Sequence, residues 1–250
     1  MTASTELPAD LTAALAAVAG RRPLLVASDY DGVLARLRDD PSAAVPEPGV
    51  AEALGRLAAV PGVTVALVSG RGVADLRATS GLSGPFRWVG SHGEEFDAPL
   101  SGELADRRDA LAERLAPLVD GVPGARLEVK PASVAVHVRQ VPDREAASAL
   151  LDEARAAVDS SLTLKPGKDV LEVAVTDADK GTALRRLVAE LGAAAAMYLG
   201  DDVTDEDGFR ALGPDGVTVK IGEGATDAGH RVPDTAGALA VLQRLGDLLP

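Results

Sequence analysis

The sequence contains no cysteine, so disulfides and thiolate metal sites are excluded. Its histidines, His92, His137 and His230, are scattered without the helical spacing of a zinc motif, and a zinc site built on imidazoles is not expected. Aromatic residues make up only 2% of the 250 positions, against a hydrophobic share of 46%. The chain can therefore form a substantial core, but one of Ala, Val and Leu. Cations are in deficit as well: 25 Lys and Arg face 38 Asp and Glu, a net charge of -13. A broad nucleic-acid surface needs clustered Lys and Arg, so neither nucleic acid nor an anionic membrane is an expected partner. A small anionic ligand would require a local basic pocket set against that field. The Ala-rich stretch Leu11–Gly20 is too short to cross a bilayer. Met1–Asp10 lacks the basic-then-apolar pattern of a leader, and a cytoplasmic location is expected.

What is present is a repeating alternation of apolar runs and amphipathic segments. Leu11–Ala19 reads as a helix with Asp10 as its N-cap. Pro23–Ser28 and Val63–Val68 read as buried parallel strands, and Arg87–Gly90 as a third; helices over Val50–Val60 and Val73–Ser80 separate them. The middle of the chain changes character. A charged helix over Leu104–Val119 precedes two runs of period two, Ala125–Lys130 and Ser133–Arg139, which predict an antiparallel pair with one wet face. A helix over Asp143–Val158 and strands at Leu162–Lys165 and Val170–Val175 complete a β-β-α-β-β block. The α/β pattern then resumes: helix Lys180–Leu191, strand Ala194–Leu199, helix Asp205–Leu212, strand Gly216–Ile221 and helix Thr235–Leu249. The expectation is an α/β protein: residues 1–102 and 177–250 form a Rossmann-like core of parallel sheet flanked by helices. Residues 103–176 form an inserted α+β domain. Trp88 and Met197 read as core residues.

Carboxylates gather where those strands end. Asp29-Tyr30-Asp31-Gly32 follows the first strand, and ligands of open α/β sheets sit beyond the carboxyl ends of strands. Two carboxylates separated by one residue can divide labour, one attacking as nucleophile and the other serving as acid and base. Gly200-Asp201-Asp202-Val203-Thr204-Asp205 brings three more acids to the same edge. Five converging carboxylates repel unless some are neutral or a hard divalent cation sits among them; oxygen ligands suit Mg²⁺. Ser69-Gly70-Arg71 ends the second strand, where a hydroxyl and backbone N–H groups could hold phosphate oxygens. Lys180 opens a helix, where its ammonium could balance a carboxylate and a developing phosphoryl charge. Each element alone has an ordinary alternative: an Asp–Gly turn, a capped strand-to-helix turn, a solvated lysine, an acidic turn. Their joint order, each at its own strand end or helix start, favours a catalytic site.

Asp29-x-Asp31-Gly32-Val33, Ser69, Lys180 and Gly200-Asp201-Asp202-x-x-Asp205 resemble, in order, the four motifs of the haloacid dehalogenase superfamily of phosphohydrolases. The insertion resembles that superfamily's larger, C2-type cap. A finer resemblance is to the trehalose-6-phosphate phosphatases. It is carried by Ser69-Gly70-Arg71, Glu128-Val129-Lys130 with His137-Val138-Arg139, Gly167-Lys168-x-x-x-Glu172, and residues 200–209. Val173-Ala174 after Glu172, and Ser91 before His92-Gly93, depart from that family's usual residues. The resemblance implies hydrolysis of trehalose 6-phosphate to trehalose and phosphate through an aspartyl phosphate on Asp29, with Asp31 as acid and base. Ser69 and Lys180 would hold phosphate oxygens. Mg²⁺ would be held by Asp29, the main-chain carbonyl of Asp31 and Asp201, with Asp202 and Asp205 in its outer shell. Gly70, Arg71, His92, Glu128, Lys130, Arg139, Lys168 and Glu172 are implied substrate-binding residues, and His137 a support of the cap sheet. Functional coupling to a separate trehalose-6-phosphate synthase is the implied partnership.

Two further enzymatic readings keep the nucleophile: a phosphatase for another sugar phosphate or a glycosyl-phosphoglycerate, and a phosphotransferase. A non-catalytic sugar-phosphate-binding regulatory module is the alternative of another class. Such modules commonly lose the nucleophile or the metal acids, whereas Asp29, Asp31, Lys180 and Asp201 are all present.

Overall fold

The run before Asp29 folds as β1 (Leu24–Ser28), all five residues of which are buried. Its side chains alternate between two apolar layers: Leu24 and Val26 join one core cluster, Leu25 and Ala27 another. A strand apolar on both faces must be covered on both, which is why this sequence builds a parallel sheet between helices. In the computed structural model, which describes residues 6–160 and 162–250, β1 pairs in parallel with β2 (Val63–Val68) and β9 (Ala195–Gly200). Beyond β9 lie β10 (Val217–Ile221) and β11 (His230–Val232). Beyond β2 lie β3 (Arg87–Gly90) and the short antiparallel β4 (Glu95–Phe96), giving the order β11-β10-β9-β1-β2-β3-β4. Ser28 is level with Leu67 on β2 and Leu199 on β9, so the three central strands deliver their following residues to one edge.

One face is covered by α1 (Ala9–Ala19), α2 (Val50–Ala58) and α8 (Thr235–Leu248), through Leu15, Leu54 and Val241 among others; Leu76 of α3 (Val73–Ser80) joins the same cluster. The other is covered by α6 (Lys180–Leu191) and α7 (Asp205–Leu212), through Leu184, Leu187 and Phe209.

The chain up to Ala98 and Ala178–Pro250 form one compact unit, and Pro99–Asp177 a second. The second contains α4 (Glu103–Asp120), β5 (Arg126–Val129), β6 (Ser133–His137), α5 (Arg144–Ala157), β7 (Thr163–Gly167) and β8 (Val170–Ala174). Its antiparallel sheet runs β5-β6-β8-β7. Val134, Val136, Leu171 and Val173 point to one face and pack with Leu111 and Leu115 of α4 and Leu150 of α5. The period-two alternation leaves Glu128, Ala135, Glu172 and Lys165 in register across the other face.

Most elements begin and end within a residue or two of their expected places, and two differences have physical reasons. Asp10 does not cap α1. The N-cap is Pro8, and the Asp10 carboxylate in the first turn meets Nδ1 of His230 at 2.9 Å. β4 and β11 are two and three residues long, too short for a periodicity to register. Ser91–Gly93 forms a single 3₁₀ turn with Ser91 and His92 at positive φ. Residues 1–5 of the segment Met1–Asp10 read above lie outside the described residues. Among the described residues no helix is long and apolar enough to cross a membrane.

Candidate active site

β1, β2 and β9 place Asp29, Ser69 and Asp201 just past their ends, and α6 brings Lys180 to the same edge as its first residue. Asp179 caps that helix. Its carboxylate accepts from Thr182 N at 2.6 Å while Thr182 Oγ1 accepts from Asp179 N at 2.9 Å, closing a reciprocal capping box. Lys180 is 2% exposed. Its ammonium donates to Asp29 Oδ2 and to Asp205 Oδ1, each at 2.7 Å. Burial opposes that charge, but the two carboxylates more than offset it and raise the Lys180 pKa. The ordinary reading of Lys180, a solvated helix residue, is therefore set aside by its burial between two acids.

Asp29 is buried, and Oδ1 accepts from Tyr30 N at 2.6 Å. Burial pushes its carboxyl up, to about 8, against the downward pull of Lys180; the like charge of Asp205 adds to the rise. Asp205 is fully buried and serves as a hub. Oδ1 accepts from Lys180 and from the Tyr198 hydroxyl, and Oδ2 from the backbone N–H groups of Asp201 at 2.8 Å and Asp202 at 2.9 Å. It thereby ties the acidic loop after β9 to the lysine. Lys220, buried on β10, donates to the main-chain carbonyl of Asp201 and so holds the same loop from the other side.

Three of the five acids converge: Asp29, Asp201 and Asp205 each offer an oxygen within 4.8 Å of the others. Oδ1 of Asp201 is buried and receives no hydrogen bond. Burial and the neighbouring Asp205 push the Asp201 carboxyl up to about 6. An orphaned carboxylate oxygen beside a second acid is an all-oxygen donor set that a hard divalent cation fits, and a cation there would restore both groups to their ionised forms. Asp205, with four donors already on its two oxygens, is the structural member of the cluster. Asp202 is exposed, its Oδ1 accepting from Val203 N at 2.6 Å.

Asp31 stands apart from these three. Its oxygens accept from Arg71, Nε to Oδ2 at 2.7 Å and Nη2 to Oδ1 at 2.9 Å. Ser69 is buried, and its hydroxyl accepts from Arg71 N at 3.2 Å. The His92 ring lies over Gly70, where a Cβ would meet it at 2.6 Å; His92 N donates to Ser69 O at 3.0 Å, which joins the turn to the second motif. Asp29, Asp31, Ser69, Gly70, Arg71, His92, Lys180, Asp201 and Asp202 all line one cleft of about 770 Å³.

The other sequence-derived candidates lie in the second unit, in two groups. Glu128, Lys130 and Glu172 occupy the polar face of its sheet. Lys130 Nζ donates to Glu172 Oε2 at 2.6 Å, Ser133 Oγ to Oε1 at 2.7 Å, and His137 Nε2 meets Glu128 Oε2 at 2.7 Å. Burial raises the Glu172 carboxyl, but the bonds from Lys130 and Ser133 carry it below its ordinary value. Arg139 and Lys168 line a separate hollow beside His137 and Asp169.

Sequence reasoning passed over Tyr198, Lys220 and the capping role of Asp179. Asp179 had a readable signal, an Asp three residues before Thr at a helix start. Lys220 carried a weaker one, a lone cation inside an apolar strand. Tyr198 carried none, because its hydroxyl partner becomes adjacent only when α7 packs on β9.

The sequence profile of the trehalose-phosphatase family matches residues 27–232. A Mycobacterium avium (strain 104) trehalose-phosphate phosphatase is 36% identical over 96% of this chain and 66% of its own length. A bifunctional trehalose-6-phosphate synthase/phosphatase from Thermoproteus tenax is 35% identical over 96% of this chain and 34% of its own. The chain thus spans 66% and 34% of these curated relatives. The solved structure of Aspergillus fumigatus trehalose-6-phosphate phosphatase superposes with a TM-score of 0.76 at 28% identity, covering 94% of this chain and 97% of that one. The parallel core, with Asp29, Ser69 and Asp201 just past its strand ends and Lys180 at a helix start, is a haloacid dehalogenase fold, and the chain belongs to the trehalose-phosphatase family.

Proposed function

We propose that this protein hydrolyses trehalose 6-phosphate to trehalose and inorganic phosphate. The single observation that carries the reading is the buried Asp29, positioned by Lys180 and by its own backbone turn, beside an orphaned oxygen of Asp201 in a cleft that also holds Asp31 and Ser69. A carboxylate oxygen of Asp29 bonds to phosphorus in line as the bond from phosphorus to the sugar oxygen breaks, and that oxygen takes a proton from Asp31. Water then attacks phosphorus and gives a proton to Asp31, and the acyl phosphate bond breaks to return Asp29 and phosphate. The Ser69 hydroxyl and the Lys180 ammonium hold the equatorial oxygens. Asp29, Asp201 and the main-chain carbonyl of Asp31 would hold Mg²⁺, Asp202 would serve in its outer shell, and Asp205 fixes the loop. When bound, the ion neutralises charge at the phosphoryl group and keeps Asp29 ionised.

In the second unit, Glu128, Lys130, Arg139, Lys168 and Glu172 act as the substrate-recognition set. Paired carboxylates accept from sugar hydroxyls while cations donate; Glu128, Lys130 and Glu172 form such a group on the polar face, and Arg139 and Lys168 line a separate hollow. Residues 103–176 thereby serve as the cap of residues 1–102 and 177–250. A synthase supplies the substrate; the Thermoproteus relative's name joins the two activities in one protein.

The test is phosphate release across a panel of sugar phosphates and glycosyl-phosphoglycerates, run with Mg²⁺ and after chelation. Trehalose 6-phosphate should give the highest kcat/KM, and chelation should abolish turnover until Mg²⁺ is restored. A flat panel would remove the substrate assignment, and turnover indifferent to chelation would remove the metal.

A further inference from the structure

The second-motif arginine, expected to bind substrate, is already engaged. Arg71 has five N–H donors. Two form a fork on Asp31, a third reaches Asp75 Oδ2 at 2.9 Å, and a fourth reaches the carbonyl of Pro41 at 2.6 Å. Its side chain is only 10% exposed, and its Cζ lies 6.0 Å from the centre of the Tyr30 ring, which is itself anchored by its hydroxyl to the carbonyl of Ala44 at 2.6 Å. The guanidinium is therefore held from α3, from the turn at Pro41–Ala43 and from Tyr30. Asp31, by contrast, receives both of its carboxylate hydrogen bonds from Arg71.

We propose that Arg71 is a positioning residue: a planar fork that fixes the direction of the Asp31 carboxylate, rather than a ligand for the phosphate of the substrate. An acid–base group works only within hydrogen-bond reach of the oxygen it serves, and an aspartate without a partner samples several rotamers. A bidentate guanidinium selects one; an ammonium, a point charge without a fork, does not. The inference rests on the phosphatase reading with Asp31 as acid.

The leaving group supplies a readout that a structural role would not move. A sugar alkoxide departs poorly and needs the proton of Asp31, whereas p-nitrophenolate departs without one. kcat/KM covers the steps up to that departure, so it isolates proton delivery from the later attack of water. Arg71→Met is expected to lower kcat/KM for trehalose 6-phosphate by about 10²-fold. For p-nitrophenyl phosphate the loss should be at least about tenfold smaller than that. Arg71→Lys should show the same split, and it carries the test if Arg71→Met does not fold. Equal losses on both substrates would overturn the inference, because both carry the phosphate that a phosphate ligand, or a general loss of structure, would affect alike. Full activity of Arg71→Lys on trehalose 6-phosphate would overturn it too, since charge without the fork would then suffice. A wild-type protein that hydrolyses neither compound would instead remove the phosphatase reading itself.

Discussion

Gly32 has φ +77°, and a Cβ built on it would meet Oδ2 of Asp201 at 1.9 Å. The Asp201 carboxylate thus lies so close to the nucleophile turn that a side chain at position 32 would displace it. Gly32→Ala is expected to cost about 2 kcal/mol or more, from positive φ and from overpacking together. It should also displace Asp201 from the cation site. Thermal unfolding and Mg²⁺ titration of turnover check this; an unchanged Tm with undiminished Mg²⁺ response would show that the contact can relax. A glycine after Asp29-Tyr30-Asp31 is readable as a turn from sequence. That it faces Asp201 is not, because the two residues meet only through the pairing of β1 with β9.

At the level of the element, α6 sets a cation against the favourable sense of its own dipole. Lys180 is the first helical residue, at the positive end, and it is buried. Carboxylates of Asp29 and Asp205 offset that cost, and the Asp179 capping box stiffens the turn from which the lysine projects. Asp179→Ala should lower stability by about 1 kcal/mol in a denaturant titration, the usual loss for a removed N-cap. It should also reduce kcat more than it raises KM, since what loosens is the aim of Lys180. A stability loss with unaltered kinetics would confine the cap to folding. The contrast with α1 is instructive: Asp10 had the residue type of an N-cap, yet the helix starts earlier and the acid pairs with His230 instead. Capping chemistry marks where a helix can begin, and packing decides where it does.

Across the whole molecule, the two compact units carry separate cores. The second buries Leu115, Val134, Val136, Leu150, Leu171 and Val173 against one another within Pro99–Asp177. A domain of this size is marginal but can fold alone. Pro99–Asp177 produced on its own is expected to show a cooperative thermal transition by circular dichroism at lower Tm than the full chain. A featureless melt would mean that this unit depends on the rest of the chain. The charge of -13 is also a whole-molecule property. The cations set against that field at the first unit's acids, Lys180 and Arg71, are buried or nearly so, each held by carboxylates.

The sequence by itself determined the layers and the edge. Uninterrupted apolar runs made Leu24–Ser28, Val63–Val68 and Ala195–Gly200 strands buried in an α/β sheet, and the polar residues at their ends followed along the chain as a local matter. Tertiary structure alone decided how those acids divide. Asp205 turned to Lys180, Tyr198 and its own loop; Asp201 kept an oxygen free; and Asp31 was drawn to Arg71, forty positions along the chain. Hydrogen-bond partners of that kind are chosen by which side chains arrive together when strands pair and helices pack. No periodicity or spacing records that arrival.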